Sequence, residues 1–156
     1  MKNTEEAFKW IVNILNKHKI PFQIAGGFAA RVYGSKRELA DIDFDIPEDR
    51  FSEIIPEVKK YIIFGPKRYI DRNWDLQLMT LVYKNQEIDI GGSNNVMIFN
   101  SNNKQWLSLK TDFMKTDMIE IYGIRVPIIV KEELIKYKKI LSREVDKIDI
   151  KQISKI

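Results

Sequence analysis

The sequence predicts an α+β fold: a mixed β-sheet flanked by helices, with further helices at the C-terminus. Three observations carry this. Apolar residues near the N-terminus repeat at helical spacing, Asp41 to Ile46 alternates strictly, and the chain from Lys131 returns to helical spacing. The 156 residues have the size of one ordinary domain, and with 44% hydrophobic residues they can bury a core without metals or disulfides. No internal repeat, low-complexity tract or Pro/Gly/Ser linker divides the chain, so residues 1–156 read as a single domain.

Thr4 reads as the N-cap of the first helix, with Glu5 and Glu6 in its first turn and Phe8, Ile11, Val12 and Leu15 on one face. His18 ends that helix, where a cation suits the dipole, and reads as a surface residue. Ile20 to Ala25 reads as a short strand running into Gly26-Gly27, and a second helix, about Phe28 to Tyr33, stops at Gly34. In Asp41 to Ile46 the apolar Ile42, Phe44 and Ile46 take one face of a strand and the acids the other. Pro47, Glu48 and Asp49 open another helix, in which Pro56 predicts a kink or restart. From Tyr61 to Ile90 the chain reads as strands, with Leu76, Leu78, Thr80 and Val82 alternating and a turn at Lys84-Asn85-Gln86. Gly91 to Asn103, rich in Gly, Ser and Asn, predicts a loop for at least part of its length. Met118 to Ile121 and Ile124 to Val126 predict a hairpin around Tyr122-Gly123. The last helical stretch, from Lys131, turns Leu134, Ile135, Tyr137 and Leu141 toward the core. A sheet of about four to six strands follows.

Composition removes several chemistries. The chain has no cysteine, which excludes a disulfide framework, cysteine-ligated zinc, iron–sulfur clusters and a thiol nucleophile. A single histidine excludes zinc sites built on several imidazoles and leaves only His18 as base for a serine nucleophile. No apolar run reaches membrane-spanning length, and the N-terminus has early acids and no apolar signal core, so a soluble cytoplasmic protein is expected. The net charge is +4, distributed unevenly. Residues 1–40 carry seven basic and three acidic side chains, residues 41–130 eleven and fourteen, and residues 131–156 eight and five. An acidic centre between basic ends suits a metal site beside an anionic substrate, and it is also within ordinary surface variation.

Three features carry chemistry. Gly26-Gly27 lies at a strand-to-helix junction, where the backbone lets a ligand approach closely; two such glycines also make an ordinary turn. Asp41 and Asp43 point to the same side of a strand anchored by Ile42 and Phe44. Paired hard oxygen ligands suit Mg²⁺, and the bland alternative is a wet, acidic edge. Asp45 shares that side, one step further on, where it would solvate the strand end. Asp89 sits between Ile88 and Ile90 on a strand, an odd place for a surface aspartate.

The stretch Ala25-Gly26-Gly27-Phe28-Ala29-Ala30, then Arg37, then Asp41-Ile42-Asp43-Phe44, with Asp89 on a later strand, resembles the nucleotidyltransferase superfamily of DNA polymerase beta. The C-terminal part is similar to its minimal members and to the abortive-infection toxin branch. There Gly123 to Pro127 leads into a helix from Lys131, followed by Arg143-Glu144-Val145-Asp146-Lys147-Ile148-Asp149. The resemblance implies a nucleotidyltransferase-like mixed sheet and a two-metal enzyme. By it Asp41, Asp43 and Asp89 are the catalytic residues and hold Mg²⁺ or Mn²⁺, and Gly26, Gly27 and Arg37 bind the nucleotide. Lys131, Lys138, Arg143 and Asp146 are its substrate-binding positions. The implied reaction moves a nucleoside monophosphate from an NTP such as ATP to a hydroxyl on RNA, tRNA, a protein or a small molecule such as an antibiotic. RNA or an antitoxin-like protein is the implied macromolecular partner, as in toxin–antitoxin pairs. Gly27 stands where many relatives have serine, which leaves phosphate contacts there to the backbone. The alternative is a nucleotide- or RNA-binding module of the same fold without turnover, and intact Asp41, Asp43 and Asp89 weigh against it.

The other candidates revert to structure. Trp10, Trp74 and Trp106 read as packing residues, and Lys138 and Lys139 as a solvated helix face. Asp146 and Asp149 are placed to bind either a substrate or the lysines one turn back.

Overall fold

A computed structural model describes residues 1–155. Helix α1 spans Thr4–Lys17, and Asn3 rather than Thr4 is its N-cap: the Asn3 side chain accepts a hydrogen bond from the Glu6 N–H. The Thr4 hydroxyl instead donates across to Gln86. The apolar face of α1 is buried from Ala7 to Leu15. Strand β1 is Gln23–Ala25, α2 is Gly26–Val32 and β2 is Asp41–Ile46. A single 3₁₀ turn, Glu48–Arg50, leads into α3, Phe51–Val58, which runs through Pro56 without restarting. Pro56 follows within the first two turns, so its missing N–H costs the short helix at most one internal bond.

The remaining strands are β3 (Ile62–Ile70), β4 (Trp74–Tyr83), β5 (Gln86–Gly92), β6 (Val96–Asn100), β7 (Gln105–Leu109), β8 (Thr116–Ile121) and β9 (Ile124–Ile129). Helices α4 (Lys131–Leu141) and α5 (Glu144–Ile153) close the chain, separated by Ser142 in a left-handed conformation at φ 52°. Among the described residues the sheet therefore has nine strands, more than the sequence pattern predicts. Two of the additional strands, β6 and β7, lie where the sequence marks no strand. Val96-Met97-Ile98-Phe99-Asn100 is a paired strand inside the stretch expected to be at least partly loop, and β7 is its hairpin partner. Both tight turns with two consecutive positive φ values, Lys84-Asn85 and Tyr122-Gly123, fall where the sequence predicts hairpins.

Sheet connectivity positions the site. β1 pairs antiparallel with β2 and parallel with β9, and β2 pairs parallel with β5. β4 carries β3 along one edge. On its other edge it carries β5 opposite residues 78–83 and β6 opposite Trp74 and Asp75, so the sheet forks there. The core lies on the other face, where Ile42, Phe44, Ile46, Met79, Leu81, Ile88 and Ile90 are almost wholly buried against Phe8, Ile11 and Leu15. Trp10 stacks on Tyr83 with centroids 4.2 Å apart, and Trp74 packs edge-on to Tyr137. Trp106 lies against Phe99 and is 41% exposed. His18 pairs with Glu57 at the end of α1. Among the described residues no helix is long and apolar enough to cross a membrane.

Candidate active site

Strict alternation in β2 and β5, together with their parallel pairing, places the carboxylates. The register sets Asp41 opposite Glu87, Asp43 opposite Asp89 and Asp45 opposite Gly91. Residues opposite one another in a sheet share a face, so the acids are gathered on the side away from the core. Oxygens of Asp41, Glu87 and Asp89 lie within 4.8 Å of one another. Hard oxygen donors at that spacing suit Mg²⁺ or Mn²⁺, and these residues could hold such an ion. The Thr80 hydroxyl donates to Asp89 Oδ1 at 2.7 Å and fixes its orientation.

Asp43 is turned the other way, toward the glycine junction. Its carboxylate accepts the backbone N–H of Phe28. Gly26 has φ +60°, and a Cβ there would stand 2.5 Å from Asp43 Oδ2, so only glycine fits above this aspartate. A Cβ on Gly27 would stand 2.8 Å from Arg37 Nη2, which places the guanidinium directly over the turn. The Gly26 N–H is held by the Tyr137 hydroxyl at 2.8 Å. Asp45, expected to solvate the strand end, is half-buried and accepts from Gln23 Nε2 at 2.9 Å.

The C-terminal residues form a largely buried network beside the turn that borders the same cleft. Lys138, expected on a solvated face, is 2% exposed and bridges Asp146 at 3.1 Å and Asp149 at 3.0 Å. Both aspartates are fully buried. Arg37 donates to Asp149 through Nε at 3.1 Å and Nη2 at 2.9 Å, Ser35 adds a third donor, and Arg143 grips Asp146. Burial alone would raise the Asp149 carboxyl, but the hydrogen bonds from Arg37, Ser35 and Lys138 outweigh it and hold it below its ordinary value. Lys131 opens α4, and Lys139, next to Lys138, is exposed.

In the acidic cluster the balance has the opposite sign. Asp43 is pushed well up by desolvation and by the charges of Asp41, Asp89 and Asp45, only partly offset by the Phe28 N–H. Asp89 is raised to about 7, first by desolvation and then by its hydrogen bond with Asp41. Asp45 is raised to about 6 by desolvation. A carboxyl whose pKa is raised on folding binds its proton more tightly in the folded state. Its stabilising effect is therefore complete below its unfolded value and is lost as pH rises through 6 and 7. Metal-free protein is expected to melt several degrees higher at pH 5 than at pH 8, and added Mg²⁺ to raise the melting temperature more at pH 8. Differential scanning fluorimetry across that range checks both signs; a metal-free melting temperature that climbs from pH 5 to pH 8 would contradict them.

Sequence reasoning missed Glu87 and Tyr137. Glu87 carries a readable signal, because Glu87 and Asp89 repeat the spacing of Asp41 and Asp43. Tyr137 reads from sequence only as an apolar helix position, and nothing there points to its hydroxyl reaching a backbone 111 residues away.

No protein-family profile matches the sequence, and no curated protein matches it by sequence. Solved structures do match. The Thermotoga maritima protein TM1012, assigned as a nucleotidyltransferase, superposes with a TM-score of 0.65 at 16% identity, over 87% of this chain and 84% of that one. The chain has the nucleotidyltransferase fold. The lincosamide antibiotic adenylyltransferase LnuA, with lincomycin bound, superposes with a TM-score of 0.62 at 18% identity, over 99% of this chain and 98% of that one. The antibiotic-resistance factor ANT(2'')-Ia gives 0.61 at 15% identity, over 97% and 82%.

Proposed function

We propose that the protein is a divalent-cation-dependent nucleotidyltransferase that moves a nucleoside monophosphate from an NTP to an acceptor hydroxyl. The observation that carries this reading is the register of β2 on β5. It sets Asp41 and Asp43 against Glu87 and Asp89 beside a turn where only glycine fits. In the reaction the acceptor oxygen bonds to the α-phosphorus, the α–β phosphoanhydride breaks, and pyrophosphate leaves. The hydroxyl proton passes to solvent or to a carboxylate of the cluster.

Asp41, Glu87 and Asp89, with Asp43 beside them, would hold the cations. Bound there, divalent cations would neutralise the triphosphate and make the acceptor oxygen a better nucleophile. The chain's own groups do the rest. Gly26 and Gly27 make room for the Asp43 carboxylate and the Arg37 guanidinium against the turn where the phosphates would sit. Arg37 keeps its guanidinium over the turn through Asp149, and Thr80 holds Asp89 in place. Alignment of donor and acceptor in this cleft would supply much of the rate enhancement. The match to LnuA over nearly the whole of both chains supports adenylyl as the transferred group and ATP as the donor. Among macromolecular acceptors, RNA would draw on the exposed bases of the C-terminal helices, and an antitoxin-like protein would be a partner in the cytoplasm.

The test is direct. Protein, Mg²⁺ and each α-³²P-NTP are incubated with total RNA, with protein extract and with a small-molecule fraction. Label moves to one acceptor class, with an equal amount of pyrophosphate released, and chelator stops both. Metal-dependent NTP binding without any label transfer would favour the binding module instead.

A further inference from the structure

The forked sheet leaves an apolar floor beside the acids. Leu76, Leu78 and Thr80 alternate along β4 on the side that faces Asp89, and the register continues this face into Tyr69, opposite Leu76, and Phe64, opposite Thr80. Phe64 and Tyr69 meet edge-to-face with centroids 5.8 Å apart. Leu76, Leu78, Phe64 and Tyr69 are half-buried, whereas Met79 and Leu81 on the reverse side are fully buried. Opposite Leu78 stands Gly91, where a Cβ would stand 3.2 Å from Leu76 Cδ1 and 3.4 Å from Asp45 Oδ1, so its missing side chain lets the apolar floor come right up to the acids. Leu78 is one two-residue step from Thr80, about 7 Å along the strand. The fork, the 110–115 connection and α4 bound the cleft, which has a volume of about 880 Å³. That is the size of a site that takes a small molecule whole.

Charge narrows the occupant. Eight carboxylates line this cleft against five cationic side chains. Three of those cations, Arg37, Lys138 and Arg143, are already paired with Asp146 or Asp149. In the proposed reaction cations and triphosphate would take the acid end. The rest of the cleft presents apolar surface with Asp71, Asp112 and Glu133 against Lys110 and Lys115, the latter paired with Glu133, a balance that is still net acidic and unfavourable to a polyanion.

Resting on the nucleotidyl-transfer reading, we propose that the acceptor is a hydroxylated small molecule with an apolar face, uncharged or cationic, seated on Phe64, Tyr69, Leu76 and Leu78. Its hydroxyl points across Gly91 toward Asp89. The bond changes are those of the proposed reaction: acceptor O–P forms, the α–β anhydride breaks and pyrophosphate leaves.

The probe is 4-nitrophenyl β-glucoside, which joins sugar hydroxyls to a flat apolar ring, with glucose and total RNA as comparators. The nitrophenyl group quenches tryptophan, and Trp74 lines the cleft. The full-length protein is expected to show saturable quenching by the glucoside that glucose does not displace and that Trp74→Phe removes. Leu78→Gln, close in volume and uncharged, should weaken binding about tenfold, while Met118→Gln, exposed on β8, leaves it unchanged. With α-³²P-ATP and Mg²⁺, label should appear on the glucoside and not on RNA. Absence of saturable quenching, equal affinity in Leu78→Gln with an unaltered melting curve, or label on RNA would each overturn the proposal. Separate calorimetry of ATP with Mg²⁺ tells the two readings apart. Glucoside binding without ATP binding sinks nucleotidyl transfer and the acceptor role with it, leaving only an apolar binding shelf. ATP binding without glucoside binding sinks the shelf alone.

Discussion

Asp43→Asn is expected to lower nucleotide transfer by about a thousandfold or more while leaving the fold intact. The acid lies where the charges of Asp41, Asp45 and Asp89 converge, and in the proposed reaction it shares the cations that neutralise the triphosphate. A loss of several kcal/mol of transition-state stabilisation corresponds to that rate factor. Stability should move the other way. The asparagine oxygen can still accept the Phe28 N–H, and the amide removes a charge that is desolvated and repelled by its neighbours. At pH 7 and without metal, the variant should therefore melt at or above the wild-type temperature. Label-transfer rates and melting curves on the same preparation check both halves. A variant that melts far below wild type would make Asp43 a structural residue.

Lys138→Ala should have the largest effect on stability. The ammonium is enclosed between two fully buried carboxylates, and removing it leaves Asp146 to Arg143 alone and Asp149 to Arg37 and Ser35. Breaking a buried pair of this kind costs about 3–5 kcal/mol, which for a chain of this size is a fall of roughly 10 °C in melting temperature. Through Arg37 the damage reaches the glycine turn, so nucleotide affinity should fall as well. Lys139→Ala, one position along on the exposed side of α4, should change stability by less than about 0.5 kcal/mol and serves as the control. Equal melting temperatures for the two variants would show that the buried network contributes nothing.

Local patterning made the centre of the fold legible. The period of Asp41 to Ile46 gives β2 its bounds and faces, and the Gly26-Gly27 junction, the two hairpin turns and the helical stretch from Lys131 each rest on a handful of neighbouring residues. Long-range pairing was less visible. Val96 to Asn100 reads as loop because its Gly, Ser and Asn neighbours dominate the window, yet β4 and β7 supply partners that complete the ladder. Lys138 reads as solvated because its sequence neighbours are charged, yet the same stretch offers the lysines as partners for Asp146 and Asp149; the packing of α5 decides for that pairing and buries it. The acids at Asp41, Asp43 and Asp89 are marked by their apolar flanks. That Asp43 turns toward Gly26 while Glu87 joins Asp41 and Asp89 follows from the β2–β5 register, which no short stretch of sequence records.

The central claim is that the β2–β5 acids bind cations for a nucleotide and are too crowded to accept a triphosphate without them. Titration calorimetry of ATP with Mg²⁺ and with excess chelator tests it most directly, on wild type and on Asp41→Asn. The account predicts a saturable wild-type isotherm with Mg²⁺, no measurable binding in chelator, and a severely weakened isotherm in the variant. Equal ATP affinity with and without the cation would contradict it.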